Sequence, residues 1–322
     1  MKRLLVLQKM PEETKTRFVD VLSTYFEIDF ADSFDPVYLK EKIRKTEVCF
    51  GSFLPDPVLD AASILEVFQL AGTGVDKLNL KLFRDKKVKI CKTQAHSKYV
   101  AEFAVAMLHC LIKKIALFDR LSRANGGQPV KSNMPGLDFS SNTLFEKRIG
   151  IIGYGNIGRF IHRLLNPYTS QFYINAATPK PEQELMGGKN VALEELIREV
   201  DVVFIACPLT AATKGLIERE RFQMSRPGSI WINISRGEVI DFDALMDALE
   251  NRLIGGVAID NWYPSIPDAQ KQLSGFDNVV LSPYRATNIS GGNPNIEDAM
   301  HNLVRFGKGE EPVNVVSYEK GY

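Results

Sequence analysis

Residues 148–153, RIGIIG, form a short apolar run that ends on Gly153-Tyr154-Gly155-Asn156-Ile157-Gly158 and passes directly into a segment of helical periodicity, 156–168. No other feature restricts the fold of this chain as tightly. Three glycines at that spacing between a strand and a helix make the turn of a βαβ unit. Gly153 permits the tight turn, Gly155 lets a phosphate approach the backbone, and Gly158 lets the helix lie close on the strand. The helix N-terminus then offers unpaired N–H groups and partial positive charge. The expected ligand is a dinucleotide, NAD or NADP, held by Gly153, Tyr154, Gly155, Asn156, Ile157 and Gly158.

An NAD site usually has an acid about 20 residues further on, bonded to the ribose 2′-hydroxyl. The second strand, QFYIN (171–175), is followed instead by Ala176-Ala177-Thr178-Pro179-Lys180. Ala176 stands where the acid would be, so nothing repels a 2′-phosphate, and Thr178 and Lys180 could contact one. NADP is slightly favoured over NAD.

Around the turn, apolar strand-like runs alternate with helical patterns: 148–153, 171–175, 201–207, 229–235, 255–260 and 278–284 are the strands. Right-handed parallel crossovers of this kind build a doubly wound α/β sheet. A smaller α/β unit precedes it, with strands over 2–8, 25–30, 47–53, 66–72 and 87–93 and helices over 11–24 and 35–46. Residues 99–118 are apolar almost all round, which predicts one buried helix. Residues 122–143, rich in Gly, Ser and Asn, read as a long surface connection, and 294–309 as a final helix.

The 322 residues suffice for two domains. The 40 basic residues nearly cancel the 39 acidic ones, leaving a charge of +1 and no field to recruit nucleic acid or an anionic membrane. No run reaches the ~18 apolar residues of a membrane helix, and no secretory signal pattern is present. Cys49, Cys91, Cys110 and Cys207 match no metal or redox spacing and read as reduced thiols, with the cytoplasm as the simplest compartment. The partner expected is a small-molecule substrate, and no metal site is expected.

The segments LAGTGVDKLNL (70–80), YVAEFAVAMLHCL (99–111), PLTAATKGLI (208–217), MSRPGSIWINISRGEVID (224–241), ALMDALENRLIGGVAID (244–260) and NVVLSPY (278–284) follow in an order and spacing that closely resemble the D-2-hydroxyacid dehydrogenase family. The resemblance spans roughly 65–310. It implies a Rossmann-type nucleotide domain, 99–287, inserted in a flavodoxin-like substrate domain, 1–98 and 288–322. It also implies a homodimer built on the 99–118 helix and an active site in the interdomain cleft. Arg236 matches the family arginine that binds the substrate carboxylate and carbonyl oxygen; a planar guanidinium donates two parallel hydrogen bonds to such a group. Gly72-Thr73-Gly74 matches the family's carboxylate-binding loop, and Pro208, Thr213, Ser235 and Asp260 are assigned to the cofactor.

Two family residues are missing. No carboxylate follows Asp260 until Asp268, where a Glu is expected, and Tyr284 stands where a His follows Ser-Pro. An imidazole exchanges protons near neutrality. A tyrosine, with an ordinary pKa of about 10, could act as the acid if Arg236 lowered that value. His96, in the loop QAHSKYVAE, is the other candidate proton carrier, with a plain loop histidine as its alternative. His109, His162 and His301 lie on helical patterns and read as packing or surface residues. Trp262 and Tyr263 are placed near the pocket mouth, Tyr263 toward the substrate. Three functions stay open: a reductase of a small keto acid or related carbonyl or imine, a non-catalytic nucleotide-binding protein, and a hydride transfer that needs no proton relay.

Overall fold

The computed structural model describes residues 1–128, 140–261, 263–289 and 293–322. In chain order it begins β1 (Lys2–Val6), α1 (Glu12–Leu22), β2 (Phe26–Phe30), α2 (Pro36–Ile43), β3 (Val48–Gly51), α3 (Asp56–Ala61), β4 (Val67–Leu70), α4 (Leu80–Asp85) and β5 (Lys89–Cys91). There follow α5 (Ser97–Ile112), α6 (Ile115–Ala124), β6 (Ile149–Ile152), α7 (Asn156–Leu165), β7 (Phe172–Asn175), α8 (Pro181–Leu185), β8 (Gly188–Asn190), α9 (Leu193–Glu199) and β9 (Val202–Ile205). The remainder is α10 (Arg219–Met224), β10 (Ile230–Asn233), α11 (Phe242–Glu250), β11 (Gly256–Ile259), α12 (Ala269–Leu273), β12 (Val279–Leu281) and α13 (Pro294–Gly307). The chain divides into two compact units, Met1–His96 with Ser290–Tyr322, and Ser97–Ile289.

The first unit is a parallel sheet of order β2-β1-β3-β4-β5, the flavodoxin-like winding. Helices cover both faces, so the strands are continuous apolar runs rather than alternating ones. On one face Phe18 and Leu22 of α1 and Ile296, Ala299, Met300 and Leu303 of α13 close over Leu4, Val6 and Phe50. On the other, Leu39, Ile43, Val58, Leu59 and Phe83 do the same for Leu5, Cys49 and Phe68. Asp35 starts α2 by accepting from the N–H groups of Val37 and Tyr38, with Pro36 at the first helical position.

The second unit is a seven-stranded parallel sheet of order β12-β11-β10-β9-β6-β7-β8. This is the doubly wound dinucleotide order, extended by one edge strand, β12. Strand order reverses between β6 and β9, so their C-terminal ends bound the crevice where such sheets hold ligands. α5 and α7 pack on one face, around Ala104, Leu108, Ile161 and Leu165. α9, α10 and α11 pack on the other, around Leu196, Phe222, Trp231 and Leu245.

The apolar stretch 99–118 is two helices, not one. Lys114 takes a left-handed conformation (φ +53°) and caps α6, and no residue of α6 is fully buried within the chain. The polar pair Lys113-Lys114 interrupts the apolar face there. The predicted connection over 122–143 begins as the last turn of α6, and its 129–139 stretch lies outside the described residues. All four cysteines are free thiols, three of them buried.

Candidate active site

In the second unit each candidate residue sits at the C-terminal end of a strand. Gly153, after β6, has φ +91°, and a Cβ there would lie 2.6 Å from the Cys207 nitrogen. A Cβ on Gly158 would overlap the Gly153 carbonyl oxygen. Gly155 differs: it caps α7, a Cβ on it would meet nothing within 4 Å, and no side chain caps the helix. The turn thus leaves open backbone and helix N–H groups where a pyrophosphate needs them, and the residues present fit a dinucleotide. Asn156 and Ile157 form the first turn of α7.

Tyr154 does not present its side chain to that opening. Its hydroxyl lies 2.7 Å from His162 Nδ1, and His162 Nε2 lies 3.2 Å from the Met186 carbonyl. The hydroxyl donates to Nδ1 and Nε2–H donates to Met186, a complete set for a neutral ring. His162 is fully buried, which pushes its pKa down to about 4. Tyr154 therefore belongs to the turn by its backbone and to the core by its ring. Beyond β7, Ala176 is half-buried and Thr178 and Lys180 are exposed; the Lys180 N–H donates to Gln183 Oε1 at 2.5 Å.

After β9, Thr213 Oγ1 donates to the Pro208 carbonyl at 2.6 Å and accepts from the Thr210 N–H at 2.8 Å, which closes that loop. After β10, the Ser235 hydroxyl donates to the Cys207 carbonyl. Asn233, fully buried, accepts from the Ser235 N–H at 3.0 Å and donates to the Arg236 carbonyl at 2.8 Å. This side chain, which the sequence reading passed over as part of an apolar strand, fixes the backbone that presents Arg236. The Arg236 guanidinium lies 6.0 Å from the centre of the Tyr284 ring, within cation–π range.

Asp260 ends β11 and is 3% exposed. Its carboxylate accepts from Ser282 Oγ at 2.6 Å, the Arg285 N–H at 2.8 Å and the Ala286 N–H at 3.2 Å. Its carbonyl accepts the Tyr284 N–H at 2.8 Å. Tyr284 is held at φ +58° with its ring half exposed. A non-glycine residue in that conformation is uncommon and persists where surroundings over-determine it.

Tyr263 is the other residue expected near the pocket mouth. It is 3% exposed, packed edge-to-face on Phe242 at 5.0 Å, and burial pushes its phenol pKa far up. Its strongly apolar surroundings draw the ring into the core of this unit. Trp262 lies outside the described residues.

In the first unit the structure brings Thr73 and His96 together. His96 is 6% exposed; its Nε2 is 3.2 Å from Thr73 Oγ1 and its Nδ1 is 2.7 Å from Asn295 Oδ1. Thr73 Oγ1 also lies 2.5 Å from the Thr93 carbonyl. The Asp298 carboxylate accepts the N–H groups of Gln94 and Ala95 at 2.6 and 3.2 Å, and so holds the loop that carries His96. Burial lowers the imidazole pKa, against the opposing pull of Asn295 and Asp298. Gly72 and Thr73 are half-buried and Gly74 is exposed. Asn295 and Asp298, both on α13, were not readable as partners of His96: the only signal was polar residues on one face of a helix nearly 200 positions away.

Around its glycine turn, the doubly wound sheet offers a dinucleotide seat, and the end of β10, two strands away, offers an arginine suited to an anion; this combination is that of a dinucleotide-dependent oxidoreductase. The sequence profile of the D-isomer specific 2-hydroxyacid dehydrogenase NAD-binding domain matches residues 105–286. A glyoxylate reductase of Thermococcus onnurineus is 27% identical over 98% of this chain and 96% of its own length. Two solved structures share the fold. One is a D-lactate dehydrogenase of Aquifex aeolicus complexed with NAD and lactic acid (20% identity, TM-score 0.79, 96% of each chain). The other is an acyclic imino acid reductase in complex with NADPH and D-Arg (21% identity, TM-score 0.81, 98% of this chain and all of that one). The chain belongs to the D-isomer specific 2-hydroxyacid dehydrogenase family. It is an NAD(P)-dependent oxidoreductase acting on 2-hydroxy or 2-keto acids.

Proposed function

We propose that this enzyme reduces a small 2-keto acid, with Arg236 seating the carboxylate and keto oxygen and Tyr284 giving that oxygen its proton. The bound nicotinamide supplies the hydride. The observation that carries the reading is the placement of Tyr284: pinned by Asp260, in left-handed backbone, beside the Arg236 guanidinium. His96, buried and bonded to Asn295, is the second candidate proton carrier. Gly72, Thr73 and Gly74 form the candidate anion-binding loop of the first unit, which we take as the substrate domain. Pro208, Thr213, Ser235 and Ala176 are assigned to the dinucleotide, and the open, acid-free end of β7 with Thr178 and Lys180 favours NADP. Glyoxylate is the first substrate to try, since curated relatives are named glyoxylate reductases.

The test is steady-state kinetics with glyoxylate, a panel of larger 2-keto acids and the matching imines, using NADPH and NADH. Arg236→Lys should raise KM about tenfold or more, because a lysine cannot form the bidentate pair. Tyr284→Phe should lower kcat by ~10²–10⁴ with KM nearly unchanged. If Tyr284→Phe is silent while His96→Asn carries that loss, the proton role belongs to His96. If both are silent, the reaction proceeds without either as proton donor and this reading fails.

We also infer a cytoplasmic homodimer. The support is α6, which has no fully buried residue and leaves Ile115 53% exposed, and the free thiols. Among the described residues no helix is long and apolar enough to cross a membrane. Light scattering at micromolar concentration checks the dimer.

A further inference from the structure

Arg159 lies in the first turn of α7, directly after Gly158. Its guanidinium joins two elements. Nη2 donates to Asn156 Oδ1, one turn back beside the glycine turn. Nη1 donates to Glu182 Oε1 at 3.3 Å, on α8 beyond the end of β7. A doubly wound sheet holds the adenosine half of a dinucleotide between these same two elements, with the pyrophosphate at the helix N-terminus and the ribose 2′-oxygen against the residues that follow the second strand. Both partners are accessible: 32% of the Arg159 side chain and 41% of the Glu182 side chain are exposed. The segment that carries Glu182 is anchored, since Gln183, 1% exposed, accepts the Lys180 N–H at 2.5 Å. Glu182 is the first carboxylate after β7, and Arg159 already neutralises it.

We propose that Arg159 selects the dinucleotide: its guanidinium binds the 2′-phosphate of NADP, and Glu182 is the counter-ion that the phosphate displaces. The inference rests on the NADP reading above and adds to it the residue responsible. An ion pair as exposed as Arg159–Glu182 is weak, so it exchanges readily. A phosphate accepts two parallel hydrogen bonds from the planar guanidinium, which is a stronger arrangement than the single contact to Glu182. The 2′-hydroxyl of NAD carries no charge, so with NAD bound the pair with Glu182 persists. Lys180 is exposed on the same segment, but an ammonium acts as a point charge and lacks the planar fork.

Calorimetric titration with oxidised NADP and NAD, without any keto or hydroxy acid, is the test, so the result does not depend on which residue gives the proton. The unaltered protein should bind NADP more tightly than NAD. Arg159→Met should weaken NADP by roughly tenfold or more, the loss expected when a hydrogen bond to a charged group goes, and leave NAD within about threefold. Adenosine 2′,5′-bisphosphate, which carries the 2′-phosphate without the nicotinamide, should lose as much affinity in Arg159→Met as NADP does. Glu182→Gln, which removes the competing charge, should tighten NADP about twofold or more and leave NAD unchanged. The proposal is overturned if Arg159→Met weakens both dinucleotides equally, which would make Arg159 a brace of the turn. It is also overturned if Lys180→Met abolishes the discrimination while Arg159→Met is silent, or if the unaltered protein binds NAD as tightly as NADP. In that last case the reductase reading stands with NADH. Failure of keto-acid reduction would leave these affinities as they are, so the two readings fail separately.

Discussion

Both oxygens of Asp260 are taken up by the loop after β12, and the same residue's carbonyl holds Tyr284. Asp260 is thus a positioning residue for Tyr284, whatever else it does for the nicotinamide. Asp260→Asn keeps the shape but loses the charge and part of the accepting capacity. The expected result is about 2 kcal/mol or more off the unfolding free energy, from hydrogen bonds to a charged group, read from denaturant midpoints. A fall in kcat larger than the rise in KM should accompany it. At His96, Asn295 Oδ1 only accepts, so the proton sits on Nδ1. The single hydroxyl proton of Thr73 goes to the nearer acceptor, the Thr93 carbonyl, which leaves Nε2 with a lone pair. Burial lowers the pKa of this ring. Its neutral form therefore adds stability that is fully present above about pH 6.5 and is lost as pH falls through the lowered native value. His96→Asn should lose less stability than the unaltered protein between pH 7.5 and pH 5, measured by urea unfolding. The glycine turn was legible in the sequence because its chemistry depends on local spacing, whereas Arg236 was singled out by the family resemblance alone. Asn233, Asn295 and Asp298 were not, because a polar side chain that braces a loop looks like any other until the fold brings the loop to it.

The break between α5 and α6 turns on one residue. A non-glycine side chain in the left-handed region costs ~1–2 kcal/mol, and Lys114 sits there at φ +53°. Lys114→Gly should raise stability by about 1 kcal/mol, offset slightly by the freer unfolded chain, and Lys114→Val should lower it by a similar amount; thermal unfolding of the two variants checks both. The strands were legible almost without exception, because parallel strands covered on both faces are continuous apolar runs. The short helices α3, α4, α8 and α12, of five or six residues, were not. They complete too few turns to show a periodicity, and surrounding contacts rather than their own sequence decide them.

At the scale of the molecule, α13 is the element on which the first unit depends. Ile296, Ala299, Met300 and Leu303 are all at most 4% exposed, in one cluster with Phe18, Leu22 and Phe50. Losing the three large side chains alone removes about 4.5–9 kcal/mol of burial, comparable with the whole stability of an ordinary domain. A chain ending at residue 289 should therefore lose hydrogen-exchange protection throughout β1–β5 while β6–β12 keep theirs, as read by mass spectrometry.

The return of α13 has a consequence for biosynthesis. Residues 97–289 leave the ribosome as one continuous stretch, and the unit they form can close while the chain is still growing. The first unit is the reverse case: its strands emerge before residues 97–289, yet the helix that covers one face of them emerges after that stretch. One face of β1–β5 stays uncovered while the whole second unit is made, and the risk of aggregation during translation concentrates on those strands rather than on the nucleotide-binding half.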